Sequence, residues 1–125
     1  MLGDRDVAAT LPVADLERAK GFYEGTLGLK PEQDMSPEAV LYVSGSSRVL
    51  VYRSEYAGTN QATAATWVAG EGFDDEIAAL REKRVTFERY DLPGTTLDGD
   101  VHVMGDMRAV WFKDPDGNIL NLSNQ

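Results

Sequence analysis

Two kinds of periodicity alternate along this chain, and they do so twice. Residues 6–11 place Val7, Ala9 and Leu11 on one face, the period-two pattern of a strand. From Asp15 the spacing lengthens. Leu16, Ala19, Phe22 and Tyr23 form a stripe three and four apart behind a good helix cap, which predicts a helix with Phe22 and Tyr23 in the core. Gly25 and Gly28 are expected to end it. Three strands follow at about 30–33, 40–43 and 49–53, the last two joined by the Gly45-Ser46-Ser47 turn.

A break near Gly58-Thr59-Asn60-Gln61 precedes a second round. Residues 65–69 read as a strand. A helix is expected from Asp74 or Asp75, burying Ile77, Leu80 and Phe73. Residues 85–90 form another strand. Then comes a polar stretch, 91–106, with Pro93, Gly94, Gly99 and Gly105, a long connection of the kind that often carries function. The chain closes on two strands joined at Asp114-Pro115-Asp116-Gly117, where proline presets the turn and glycine suits its exit. Alternation after this turn puts Ile119 and Asn121 on one face, Leu120 and Leu122 on the other. Thr10-Leu11 stand before Leu16 as Trp67-Val68 stand before Phe73. The prediction is therefore α+β: two βαβββ modules, about 1–58 and 61–125, within a single domain 1–125. Each helix covers one face of a small sheet. The economical way to bury the other faces is a curled mixed sheet around a cleft. The alternative is a closed α+β sandwich.

Composition narrows the function. The 125 residues are enough for one domain with a real core. A net charge of −9 disfavours nucleic acid, which needs clustered Lys and Arg, and mildly favours neutral or cationic ligands; its simplest effect is solubility. The absence of cysteine excludes disulfides and thiolate chemistry. The acidic N-terminus is no signal peptide and no stretch is apolar enough to span a bilayer, so a cytoplasmic protein without membrane partners is expected.

The stretch LPVADLERAKGFYEGTLGL, with AVWFKDPDGNILNL far downstream and EIAALREKRVTFERY between them, resembles the vicinal oxygen chelate superfamily of glyoxalases, bleomycin resistance proteins and extradiol dioxygenases. The resemblance covers nearly the whole chain. It implies the paired βαβββ fold, and a homodimer, since such clefts are commonly completed by pairing modules. Metal-using members place a His on the first strand of each half and a Glu on the last strand. By spacing, these positions fall on Ala8, Ala65 and Asn121, with an optional ligand near Val51 or Tyr52. Alanine donates nothing and an amide oxygen is a poor substitute for a carboxylate. The resemblance thus implies a member with no metal and no cofactor.

If Ala8 and Ala65 face inward, alternation brings in Thr10 and Trp67, and Trp111 beside Asn121; Tyr52 is a further candidate. Small residues, indoles and an amide suit a flat organic ligand. Taken singly, each aromatic reads more simply as core, and Asn121 as a partner within the sheet. His102 is the only histidine and a candidate acid or base, with Tyr52 or an aspartate of the 91–106 stretch as the alternatives, although a lone loop histidine among acids is more simply solvated. Ser44-Gly45-Ser46-Ser47 lacks the context of a nucleophile elbow, Gly25-Thr26-Leu27-Gly28 lacks the Lys-Ser/Thr of a phosphate loop, and the charged run 71–84 reads as a solvated helix face. Three functions follow in order. The first is metal-independent binding of a small organic molecule, sequestering a drug or metabolite as bleomycin resistance proteins do. The second is a metal-independent lyase or isomerase. The third is a glyoxalase or dioxygenase with an atypical metal site.

Overall fold

The computed structural model describes residues 1–125. They fall into two compact units, one of residues 1–60 with 115–118 and the other of 61–114 with 119–125. The architecture is α+β with two separate mixed sheets and few helices.

Unit one holds β1 (Ala8–Val13), α1 (Leu16–Lys20), β2 (Lys30–Met35), β3 (Ala39–Ser44) and β4 (Ser47–Arg53). Its sheet runs β1-β4-β3-β2, with β1 parallel to β4 and the other pairs antiparallel. Asp15 caps α1 by accepting from the Arg18 backbone N–H at 3.2 Å, as its position predicts. The helix then widens into a π-helical segment, Gly21–Thr26. Leu16, Ala19 and Tyr23 are buried, while Phe22, expected in the core, is only half-buried. The sheet face toward α1 carries Leu11, Val13, Val40, Tyr42, Val49 and Val51. Tyr42 stacks on Tyr23 at 6.2 Å and donates to Glu24 Oε2 at 2.8 Å. Burial first, and then that acceptor, push the Tyr42 phenol far above its ordinary value, so it stays protonated.

The β2 edge is exposed along its length and is held by ions. Lys20 Nζ lies 3.0 Å from Asp34, and Arg48 takes Glu32 through two of its nitrogens. Hydrogen bonds from Ser36, ahead of the Lys20 ammonium, lower the Asp34 carboxyl from 3.8 to about 2. A depressed carboxyl stabilises the fold above its unfolded value and loses that contribution as pH falls through the folded one. The small stabilisation from Asp34 should therefore be full above about pH 4 and vanish by about pH 2. A carbon-detected NMR titration should place its midpoint near 2, and Ser36→Ala should move the midpoint back toward the ordinary value; an unchanged midpoint would refute this assignment.

Unit two holds β5 (Thr63–Val68), α2 (Phe73–Glu82), β6 (Phe87–Glu88), β7 (Thr96–Asp98), β8 (Val101–Met104), β9 (Met107–Lys113) and β10 (Ile119–Ser123). The helix starts at Phe73, a residue ahead of the expected acids, and Asp74, Asp75 and Glu76 occupy its first turn where the dipole favours them. Phe73, Ile77 and Leu80 are buried as predicted. The sheet runs β5-β10-β9-β8-β7, and β6 also pairs with β9. The sequence pattern misjudges the region from 85 to 106. The strand expected over 85–90 shrinks to two residues, and the expected polar loop contains a β-hairpin. Both β6 and β8 lie on one side of β9, β6 beside residues 111 and 112 and β8 beside 107 to 109. One sheet position, filled in unit one by the single strand β2, is here shared by two short strands. The chain leaves the sheet between them and returns as β7–β8.

The turn at 115–118 belongs to unit one. Asp116 Oδ1 accepts from the Ala14 N–H at 3.0 Å and from Arg18 Nη2 at 2.9 Å. Asn118 donates to the Pro12 carbonyl at 2.8 Å. Turn residues thus cap the strand-to-helix corner of β1 and α1. No helix is long and apolar enough to cross a membrane.

Candidate functional site

Pairing across a sheet fixes which side chains share a face. In sheet two, β9 and β10 bring Phe112 opposite Leu120 and Val110 opposite Leu122, and β6 adds Phe87 opposite Phe112. Arg81 of α2 lies over the Phe87 ring and Arg108 over Phe73, so this face meets the helix. The other face carries Trp111 opposite both Asn121 and Glu88, and His102 opposite Ala109. Trp111 and Asn121 are therefore brought together, as alternation predicts. Trp67 is not with them. It pairs with Leu122, and Ala65 with Leu120, on the helix side; the β5 residue paired with Asn121 is Thr66. The cause is an irregularity in the ladder between Ile119 and Leu120, which shifts register by one residue and exchanges faces.

In unit one, Thr10 pairs with Leu50, and Pro12 with Tyr52. Ala8, Thr10 and Tyr52 consequently share the face away from α1. Ala8 also lines an open depression of about 390 Å³ with Asp6, Leu41 and Arg48, whose guanidinium is already engaged by Glu32.

His102 is where structure and sequence differ most. It is not a solvated loop residue but sits on β8, 3% exposed. Its ring meets Trp111 edge-on at 4.8 Å, and Tyr90 packs on both, 6.0 Å from His102 and 5.7 Å from Trp111. Trp111 Nε1 donates to Thr63 Oγ1 at 3.1 Å, which fixes the indole. Where the chain leaves β6, the freed Tyr90 backbone N–H donates to His102 Nε2 at 2.9 Å. A nitrogen that accepts cannot carry the proton, so the ring proton sits on Nδ1. Burial, then the Glu88 carboxylate, raise the Tyr90 phenol, which keeps its proton and can donate. Asn121 donates to the Val110 carbonyl at 3.0 Å. Sequence reading overlooked Tyr90. The alternation Val101-His102-Val103 within the supposed loop was the available signal that His102 faces a sheet.

The metal expected of this fold does not match these residues. Ala8, Ala65 and Asn121 supply no imidazole or carboxylate, and Thr66, which takes the place beside Asn121, adds only a hydroxyl. No group of three or more His, Cys, Asp or Glu side chains is placed to hold an ion anywhere in the chain.

The model of the Glyoxalase/Bleomycin resistance protein/Dioxygenase superfamily matches residues 7–122. Among solved structures, an integron cassette protein from the mobile metagenome of the Halifax Harbour sewage outfall superposes with a TM-score of 0.72 at 16% identity, covering 98% of this chain and 99% of that one. The lactoylglutathione lyase of Agrobacterium tumefaciens gives 0.71 at 16% identity, covering 96% and 92%. The fosfomycin resistance protein FosX of Mesorhizobium loti gives 0.68 at 16% identity, covering 98% and 92%. At such identities these likenesses establish the fold alone. No curated protein sequence matches the chain.

Proposed function

This chain belongs to the glyoxalase/bleomycin resistance protein/dioxygenase superfamily, and from that premise we propose that it holds a small organic molecule, a drug or a metabolite, without a metal. One observation carries the reading. On the sheet face that bears Asn121, the family's carboxylate position is an amide, while an indole stands directly across the ladder from it. Such a surface suits a flat or partly apolar ligand, oriented by a polar handle. Trp111 and Asn121 are the proposed contacts in unit two. Thr10 and Tyr52 are proposed contacts in unit one, on the face away from α1. A homodimer in the cytoplasm completes the proposal; sedimentation should show a species of twice the chain mass, and a monomer at all concentrations would refute that part.

Bleomycin, fosfomycin and S-lactoylglutathione are the first probes, because the superfamily and two of the structural neighbours are named for them. Titration against tryptophan fluorescence in EDTA should change emission. The change should survive Trp67→Phe, since Trp67 lies on the helix side, and disappear in Trp111→Phe. Silence across these probes and a panel of aromatic and cationic compounds would defeat the reading. A response that needs added Mn(II) would defeat its metal-free part.

The second reading is a metal-independent lyase or isomerase using His102 as acid or base. Its support is the burial of that imidazole beside Trp111. Turnover that survives chelation and falls in His102→Gln would establish it over simple binding. A glyoxalase or dioxygenase with an atypical metal site has the least support, because it needs donors that do not converge here.

A further inference from the structure

Unsatisfied polarity is concentrated in one short piece of this molecule. Tyr90 Oη, Thr95 Oγ1 and His102 Nδ1 are all buried and all lack a hydrogen-bond partner. They fall within the thirteen residues from 90 to 102, the segment that leaves the sheet after β6 and returns as β7–β8. Leu97 pairs with His102, and Thr95 stands at the entry to the same strand. Buried donors without acceptors are costly, and native proteins keep few of them.

The three groups are alike in what they can give. His102 presents Nδ1–H, because Nε2 is committed to the Tyr90 N–H. The Tyr90 phenol keeps its proton, and the Thr95 hydroxyl can rotate to donate. The common complement is an oxygen acceptor. Beside them stands Trp111, held by Thr63 and in edge contact with both rings. The hairpin itself is fastened from outside, since Asp100 accepts from Arg89 at 2.9 Å and from Arg81 of α2 at 3.3 Å. Those two arginines hold the Asp100 carboxyl below its ordinary range. By contrast residues 91–94 pair with no strand. They are the stretch with least to lose on shifting.

We propose that this insertion is an acceptor-recognition subsite, in which His102 Nδ1–H, with the Tyr90 and Thr95 hydroxyls, hydrogen-bonds a carbonyl or carboxylate oxygen of a planar ligand resting against Trp111. The proposal deepens the binding function above and rests on it. It assigns His102 the role of a donor fixed in one tautomer, and it names the ligand class as an aromatic amide, ketone or carboxylate. The ligand oxygen reaches the donors as residues 91–94, which lie outside every strand, move aside.

Because His102 is the only histidine, its ring nitrogens can be observed without ambiguity in protein labelled with ¹⁵N-histidine. The free protein should show Nδ1 protonated and Nε2 bare. Benzamide and benzoate should quench Trp111 and shift the Nδ1–H proton, and ethylbenzene should bind at least tenfold more weakly. His102→Met keeps the bulk and leaves only a weak thioether acceptor with no N–H donor, and with Tyr90→Phe it should erase the preference for benzamide. If Nε2 carries the proton in wild type, the proposal is overturned without recourse to any variant. If ethylbenzene and benzamide quench equally, the acceptor subsite is overturned while binding stands. If none of these compounds and none of the earlier probes quenches Trp111, the binding function itself fails and takes this one with it.

Discussion

Replacing Phe112 by alanine should lower the unfolding free energy by about 3–5 kcal/mol, the usual cost of truncating a core phenylalanine. The ring is 2% exposed. It lies between Phe87 and Leu120 across the ladder and meets Phe87 edge-on at 6.2 Å. Its removal leaves a cavity with walls on both β6 and β10, so no single element can collapse into it. Phe112→Leu should cost roughly 1–1.5 kcal/mol, because much of the volume remains. The neighbouring Trp111→Ala should cost far less than Phe112→Ala, since it is only half-buried and faces the other way. It should instead remove ligand response. Urea unfolding of the three variants checks all this together. Equal destabilisation by Trp111→Ala and Phe112→Ala would mean that the two faces have been assigned wrongly.

Asp116→Ala should be the next most damaging change, by about 2–4 kcal/mol, from the loss of two hydrogen bonds to a charged acceptor. The Asp116 side chain is 4% exposed. Its Oδ1 serves both the Ala14 N–H and Arg18 Nη2, so alanine leaves a backbone donor unmet at the corner between β1 and α1. Asp116→Asn preserves an acceptor and should lose less. Arg18→Ala should lose least, because its side chain is 50% exposed and solvent screens much of that pair. The order of urea midpoints, Arg18→Ala above Asp116→Asn above Asp116→Ala, is the measurable signature. A different order would show that the ion pair, and not the backbone cap, sustains this corner.

The same turn shows how far sequence reading reaches. Pro115 and Gly117 announce a turn, and alternation after it correctly separates Asn121 from Leu120 and Leu122. Nothing local says that Asp116 and Asn118 reach back to residues 12, 14 and 18, more than ninety positions away. Such partners are set by which pieces of backbone lie together. The hairpin at β7–β8 was hidden for a related reason. Its strands are only three and four residues long, so the Val101-His102-Val103 alternation is too brief to stand out within a stretch rich in glycine and acids. Spacing alone assumes an unbroken ladder and sets Trp67 with Trp111, whereas one irregularity between Ile119 and Leu120 reverses its face.

What the chain's own pattern determined was the kind and order of elements, the repeat of a βαβββ plan and the want of metal donors at Ala8, Ala65 and Asn121. Those follow from periodicity and side-chain chemistry, which are local. Tertiary structure alone decided which indole shares a face with Asn121, and that the single histidine is buried with one nitrogen spent on the Tyr90 backbone and the other left to donate. Facing and burial depend on strand register and on partners distant in sequence, and a one-residue shift in register is enough to exchange them.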